Sequence, residues 1–342
     1  MKRYNIFLTT AGILFSLLIT SCSNQEVDFK NYDYSTVYFA YQYPVRTIVL
    51  GDDIVDNSMD NAHKCKIYAT MGGVYANPKK IDIDIEVNEA LCDHLYFKDG
   101  TSVQAMPAEY YSLASNVISL AHSFQGGVEV ELNDAFFADA DAIRNTYVIP
   151  LEMTKVVNAD SILSGEAKIN DASKCNISDW EVAPKDYVLY CVKYINPYHA
   201  IYLRRGVDVI LQDGASTTLE RRADYVENDE LCELTTVSLN SVEFPISISN
   251  VNDENQNCSL LLTFDDENNC VVSTSTSGFT ITGNGKFVNN GEKNSWGDKD
   301  RNAIYLDYTI EVAGKTYATL DTLVVRDRGV AAENFSPSYM KE

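Results

Sequence analysis

At 342 residues and a formal net charge of −22, the chain is long enough for about two domains and too acidic to hold a phosphate backbone or an anionic lipid headgroup by charge. No cluster of Lys and Arg offsets that balance anywhere in the sequence, so nucleic acid is set aside as a partner. Apolar residues make up 45% of the chain and charged residues 22%, which is the balance of a folded protein rather than a disordered one.

Lys2 and Arg3 precede an apolar run from Ile6 to Ile19, the charged head and core of a secretory signal. A membrane-spanning helix needs about 20 apolar residues, and Thr9, Thr10, Gly12 and Ser16 dilute this shorter run further. The run ends in Ile19-Thr20-Ser21-Cys22, which looks like a bacterial lipobox: small residues fit a signal peptidase, and the following thiol takes a diacylglycerol. The expectation is a signal peptide over residues 1–21, lipidation of Cys22, a tether over residues 22–30 and anchorage at the outer membrane. Several acyl chains on that residue hold stably where one chain is marginal. Glu26 and Asp28 suit display at the cell surface. Cleavage removes Lys2 and Arg3 and no acid, which moves the charge from −22 to −24.

Alternating β-branched or aromatic and polar residues then predict strands over 36–41, 47–50, 65–71, 81–87, 117–120, 128–132 and 146–153. Residues 89–97 and 135–144 read as short helices. About seven strands over 31–157 predict an immunoglobulin-like β-sandwich. Residues 158–186 lose the alternation and are rich in Ser, Asp, Asn, Ala and Lys, which predicts an interdomain segment. Strands resume over 187–195, 207–211, 231–239, 242–249, 259–264, 271–275, 279–282, 303–312 and 316–325. Short connections such as Asp265 to Asn269 and Val312 to Lys315 favour an antiparallel meander, and a meander of this strand number closes into a barrel because closure removes exposed edges. The predicted fold is therefore all-β, a sandwich followed by a lipocalin-like or calycin-like barrel over 187–342.

Eight cysteines are present. With Cys22 lipidated, an odd seven remain, none with CxxC spacing, and most sit in apolar stretches as buried small hydrophobes. Cys258 and Cys270 flank one hairpin, but a turn near Glu267 places Phe264 opposite Cys270, which argues against a bridge between the two cysteines.

Several strings carry a resemblance: Val37-Tyr38-Phe39, Met106 to Tyr111 and Tyr147 to Leu151 in the first half, and Lys193 to His199, Tyr202 to Gly206 and Asp321 to Gly329 in the second. On these the chain resembles a family of two-domain surface lipoproteins of gut Bacteroidetes, found among polysaccharide-utilisation proteins and associated with family 18 glycoside hydrolases. The resemblance implies an immunoglobulin-like N-terminal domain, a calycin-like C-terminal domain and glycan handling by association, and it supplies no residue with a known role.

The string Lys79 to Glu86 is similar to the DxxDxDxE strand end of family 18 chitinases, but Lys79 replaces the first aspartate. It reads equally as a strand with Ile81, Ile83, Ile85 and Val87 inward and Asp82, Asp84 and Glu86 outward, and the chain lacks the alternating helices of an eight-fold α/β barrel. No catalytic residue is assigned. His63, His94, His122 and His199 have no metal spacing; acidic turns at 252–255 and 265–269 are conceivable calcium sites but read first as solvated turns. No metal or cofactor is expected.

Sugar recognition needs an aromatic face with amide or carboxylate partners nearby. Trp296 leads the candidates, since Asn294 and Asp298 flank it and Asp300 and Arg301 follow. Trp180, in the interdomain segment, comes second, and Tyr198 and His199 lie in a turn between predicted strands. Together these point to non-catalytic capture of a glycan or polysaccharide at the cell surface, on behalf of a transporter or glycoside hydrolase of the same system. A structural role as an adhesin or pilus anchor and a divergent glycoside hydrolase are the alternatives.

Overall fold

A computed structural model of the protein describes residues 32–340; the expected signal peptide, Cys22 and the expected tether, all within residues 1–31, lie outside the described residues. The fold is all-β, with 55% strand and 7% helix. The first unit contains β1 (Thr36–Tyr38), β2 (Pro44–Val49), β3 (Lys64–Gly72), β4 (Lys80–Val87), β5 (Tyr111–Leu113), β6 (Val117–Ala121), β7 (Gln125–Leu132), β8 (Tyr147–Val157), β9 (Ser161–Ile162) and β10 (Tyr187–Ile195). One sheet has the order β9-β1-β3-β7-β5, and the other contains the run β2-β10-β8-β4-β6.

Strand alternation explains why the two sheets meet. Cys65, Ile67 and Ala69 of β3 and Val128 and Val130 of β7 point into the same buried cluster as Ile81, Ile83 and Ile85 of β4 and Ile149 and Leu151 of β8. Asp82, Asp84 and Glu86 face away from that core, so the chitinase-like string is one polar face of a strand, and Ser119 Oγ donates to Asp82 at 2.5 Å. Val87 departs from the expectation: it is 41% exposed because it ends β4 beyond the covered face. The two expected helices shrink. Glu89–Cys92 is a single 3-10 turn, with Asn88 accepting from the Ala90 N–H, and the chain then extends into a strand at Leu95–Tyr96. The second helix is only Asp134–Ala138.

The first unit also claims more of the chain than expected. The resumed strand pattern places β10 in the barrel, but Val148 to Glu152 of β8 pair with its residues 187–191, and β2 runs parallel along its other edge. The segment over 158–186 packs on this unit too. Ser35 donates to Asp160 at 2.6 Å, β9 pairs with β1, and Lys174 bridges Glu152 at 2.7 Å and Asp186 at 2.6 Å. The chain therefore crosses to the second unit at Asn196 to His199, and Glu333–Asn334 returns to pair with β2.

The barrel strands are β11 (Ala200–Gln212), β12 (Ala215–Arg221), β13 (Glu230–Ser238), β14 (Ser241–Ser249), β15 (Asn255–Phe264), β16 (Asn269–Ser273), β17 (Phe279–Glu292), β18 (Arg301–Val312) and β19 (Lys315–Asp327). Eight of them form a closed antiparallel ring, β11-β13-β14-β15-β16-β17-β18-β19, with β19 pairing back onto β11. β11 changes partner along one edge: Ala200 to Arg204 pair with β13, and Gly206 to Gln212 pair with β12. Phe264 lies opposite Cys270, as the hairpin register predicts, and Ile246 lies opposite Cys258.

Side chains fill the ring. Tyr202, Leu234, Phe244, Leu260, Ile304 and Leu323 form a continuous buried cluster. At one level the filling is ionic. Asp321 accepts from Arg204 at 2.9 Å, from Tyr308 at 2.7 Å and from Arg221 at 2.6 Å, while Arg221 and Thr319 hold Asp208 at 2.7 and 2.8 Å. Two arginines and two aspartates balance, which is what burial of charge requires.

Candidate functional site

The two units are joined at a built junction. Arg328, buried, donates to four backbone carbonyls: Leu50 and Asp52 of the first unit, and Asn196 and His199 of the crossover. Asn196 is fully buried; its amide donates to the Ser238 and Ser241 carbonyls and its Oδ1 accepts from the Tyr198 and His199 N–H groups. Gly51, at φ +82°, touches Pro197 so closely that an added Cβ would lie 2.7 Å from the proline Cβ, so the contact requires glycine.

Beside this junction lies a cleft of about 190 Å³. Asp53 and Ile54 line it from the first unit; Asn290, Asp300, Asn302 and Asp327 line it from the strand ends of β17, β18 and β19. Asn302 Oδ1 accepts from the Asn290 N–H at 2.8 Å, and Asp327 Oδ1 accepts from the Gly329 N–H at 2.9 Å. Each of these groups keeps further donor or acceptor capacity. Lys293 and the Asn294 N–H hold Asp300 below its usual carboxylate pKa. The cleft thus presents carboxylates, amides and the guanidinium groups of Arg301, Arg326 and Arg328 from two units toward one small volume, polar groups of the kind that fix the orientation of a bound ligand.

The loop singled out in the sequence borders the cleft, though through different residues. Asp300 and Arg301 line it; Asn294 and Asp298 are exposed turn residues at φ 47° and 55° that shape the loop. Trp296 is half-buried. The Arg301 guanidinium stacks 3.4 Å from its ring centroid, and its indole N–H donates to the Val325 carbonyl at 3.1 Å. Trp296 therefore fixes Arg301 and the end of β19, with one ring face already covered. Trp180 is placed elsewhere, its indole N–H donating to Ser173 within its own segment.

Tyr198 lies in the turn between two strands, as expected, but its side chain belongs to the core. It is 7% exposed, stacked at 3.6 Å on Phe264, with its hydroxyl donating to Asn268, because the crossover drives it into the end of the barrel. His199 is a junction residue. Its Nδ1 accepts from the Thr236 N–H at 3.0 Å, and burial, followed by the charges of Arg328 and Lys193, pushes its pKa down to about 4. Asp53, Asn290, Asn302 and Asp327 carried no signal in the sequence, since they meet only where separate strands end. The acidic turn at 265–269 is closed on itself, with Asp265 Oδ1 accepting from the Glu267 and Asn269 N–H groups.

A closed eight-stranded barrel locked to a preceding unit of two sheets, with a polar cleft between them, defines the class of this protein. It belongs to the same family as a Bacteroides ovatus protein of unknown function whose crystal structure it matches with 43% identity and a TM-score of 0.86, over 90% of this chain and 100% of that one. Within the chain, the family model described as a domain of unknown function, DUF5627, matches residues 197–329, and a model for an N-terminal domain matches residues 29–160. The crystal structure of an auxiliary nutrient binding protein from Bacteroides thetaiotaomicron matches far more loosely, with a TM-score of 0.35 and 14% identity over 84% of this chain and 95% of that one. No curated protein matches.

Proposed function

We propose that this protein is a non-catalytic glycan-binding lipoprotein of the cell surface, held in the outer membrane by lipid on Cys22. Its immunoglobulin-like first unit and its barrel form the two walls of the binding cleft, and it delivers captured polysaccharide to a transporter or hydrolase of the same system. The observation that carries this reading is the cleft itself, where Asp53 faces Asn290, Asn302 and Asp327 across the junction. Three short polar side chains on strand ends and Asp53 on the loop after β2 offer partners to vicinal hydroxyls, and Trp296 holds the neighbouring Arg301 in place.

The test is affinity electrophoresis and calorimetry of the intact protein against a broad panel of host and dietary polysaccharides. Saturable binding to at least one is expected. Losing one neutral hydrogen bond costs about 1 kcal/mol, roughly fivefold in affinity, so Asn302→Ala combined with Asp327→Ala weakens binding by an order of magnitude with the fold intact. Trp296→Ala weakens it through release of Arg301. A panel without a binder overturns the proposal.

A further inference from the structure

The first unit carries a groove of about 460 Å³, lined chiefly by apolar groups including Met59, Ile67, Val188 and Tyr190 and bordered by Tyr41 and Tyr68. It exists because the first strand is split between sheets. β1 pairs with Thr70 to Gly72 of β3, and the chain then crosses at residues 39–43 to place β2 beside β10 in the other sheet. Cys65 to Ala69 of β3 therefore pair with β7 on one edge and with no strand on the other.

The parity of that open edge is determined. The Met71 N–H bonds Phe124 on the β7 side, so odd-numbered residues of β3 face β7 and even-numbered ones face the groove. Accordingly the Lys66 carbonyl is met from the groove side by the Tyr190 hydroxyl at 3.2 Å. The Lys66 N–H and both backbone groups of Tyr68 point the same way, with no strand opposite them. Five residues of edge span about 17 Å, enough for one short strand.

Charge adds a second constraint. In a chain of net charge −22, the groove lining holds two cations, Arg46 and Lys66, and no acid. Arg46 is paired with the buried Asp60, while Lys66 makes no salt bridge among the described residues and stands across the ladder from Glu129, which is bridged by Lys64. Tyr41 and Tyr68, 67% and 54% exposed, stand at the rim with Gln125.

From these observations we infer that the open edge of β3 is a strand-addition site for an extended acidic peptide. The peptide backbone pairs with Lys66 and Tyr68, alternate apolar side chains enter the groove toward Ile67 and Tyr190, and acidic side chains meet Lys66. Backbone hydrogen bonds give such a site its affinity, and the pockets for alternate side chains give its specificity. A polysaccharide offers no ladder of N–H and C=O groups at strand spacing, so this site is separate from the glycan cleft and does not rest on that reading.

The probe is a fluorescent ten-residue peptide alternating Val or Phe with Glu or Asp, titrated into the intact protein by anisotropy. Saturable binding is expected, at least tenfold weaker for a peptide with Lys in place of the acids and lost for one interrupted by Pro. Tyr68→Pro removes an edge N–H while leaving the β7 ladder whole, a substitution that edge strands tolerate, and it weakens binding tenfold or more. If circular dichroism shows that this variant does not fold, Lys66→Glu replaces it, with the preference between acidic and basic peptides reversed. Equal binding of the alternating and Pro-interrupted peptides, no binding of either, or unchanged affinity in the folded variant overturns the inference, as does displacement of the acidic peptide by a uronic acid oligosaccharide at equal molarity.

Discussion

The two units solve the same problem, the unpaired edges of a sheet, in opposite ways. In the barrel every ring strand is paired on both sides, and even β11, which changes partner midway, passes from β13 to β12 with each half covered. In the first unit the strand that would cover β3 is shared between two sheets, and the edge from Cys65 to Ala69 stays open above a groove. Closure also dictates what the interior holds. The ring is filled by side chains and a balanced ionic cluster, which leaves the rim and the junction as the places where the barrel can meet a ligand. The open unit keeps its recognition surface along its own backbone.

The strongest way to break this contrast is to unbalance the ring. Asp321 is 3% exposed and accepts from Arg204, Arg221 and Tyr308. Arg204→Met removes one of two cations and leaves net negative charge inside, which destabilises the protein by about 3–5 kcal/mol. Thermal denaturation reads this directly. A variant that melts with the parent would mean that the cluster is solvated rather than sealed within the barrel.

A second prediction tests whether the units act as one body. Arg328 reaches four carbonyls drawn from both sides of the junction. Hydrogen bonds from a charged donor contribute more than neutral ones, and Arg328→Ala leaves buried acceptors unmatched at a cost of about 3 kcal/mol. Calorimetry is expected to show the single transition of the parent split into two, because the barrel's closed ring survives the loss of its neighbour better than the open unit does. Glycan affinity falls with it, since Asp53 no longer faces Asp327 across a fixed gap.

The same contrast marks what could be read from sequence. Ala303 to Val312 is legible almost to the residue because half-burial imposes a period of two, and Tyr187–Ile195 because burial on both faces makes it a short, nearly continuous apolar run. The barrel's polar strands are not. Ala215–Arg221 is exposed along nearly its whole length and shows no apolar face. The second half of Phe279–Glu292 hides behind Gly283 and Gly285, where an added Cβ would lie 2.3 Å from Tyr308 and 2.5 Å from Leu306. The unit boundary differs for a related reason: β10 is buried on both faces, and nothing local says which sheet receives it. Around the cleft, the Trp296 loop stood out by composition, whereas Asp53, Asn302 and Asp327 are joined only by the closure of the barrel against the first unit.

The smallest expected effect separates junction from barrel by pH. Burial, with the charges of Arg328 and Lys193 behind it, holds His199 at about 4 in the folded protein against 6.5 for a free imidazole. The unfolded chain therefore takes up a proton that the folded one refuses. The stabilisation is whole above pH 6.5 and declines as pH falls toward 4, by on the order of 2 kcal/mol after allowing for residual solvent access. Asp208 in the barrel is depressed instead: burial pushes its carboxyl up, but hydrogen bonds and charge from Arg221, with help from Thr319, outweigh it. Its contribution is complete above the ordinary 3.8 and is lost only as pH drops through the lowered value. Melting temperatures from pH 8 to pH 3 should accordingly decline in two steps. His199→Asn, which keeps an acceptor for the Thr236 N–H, removes the upper step and leaves the lower; Arg221→Gln removes the lower step and, by unbalancing the ring as Arg204→Met does, lowers the melting temperature at every pH. If His199→Asn leaves the decline between pH 6.5 and 4 in place, the junction is not where the protein first yields to acid, and the two units are more alike in their electrostatics than their sheets suggest.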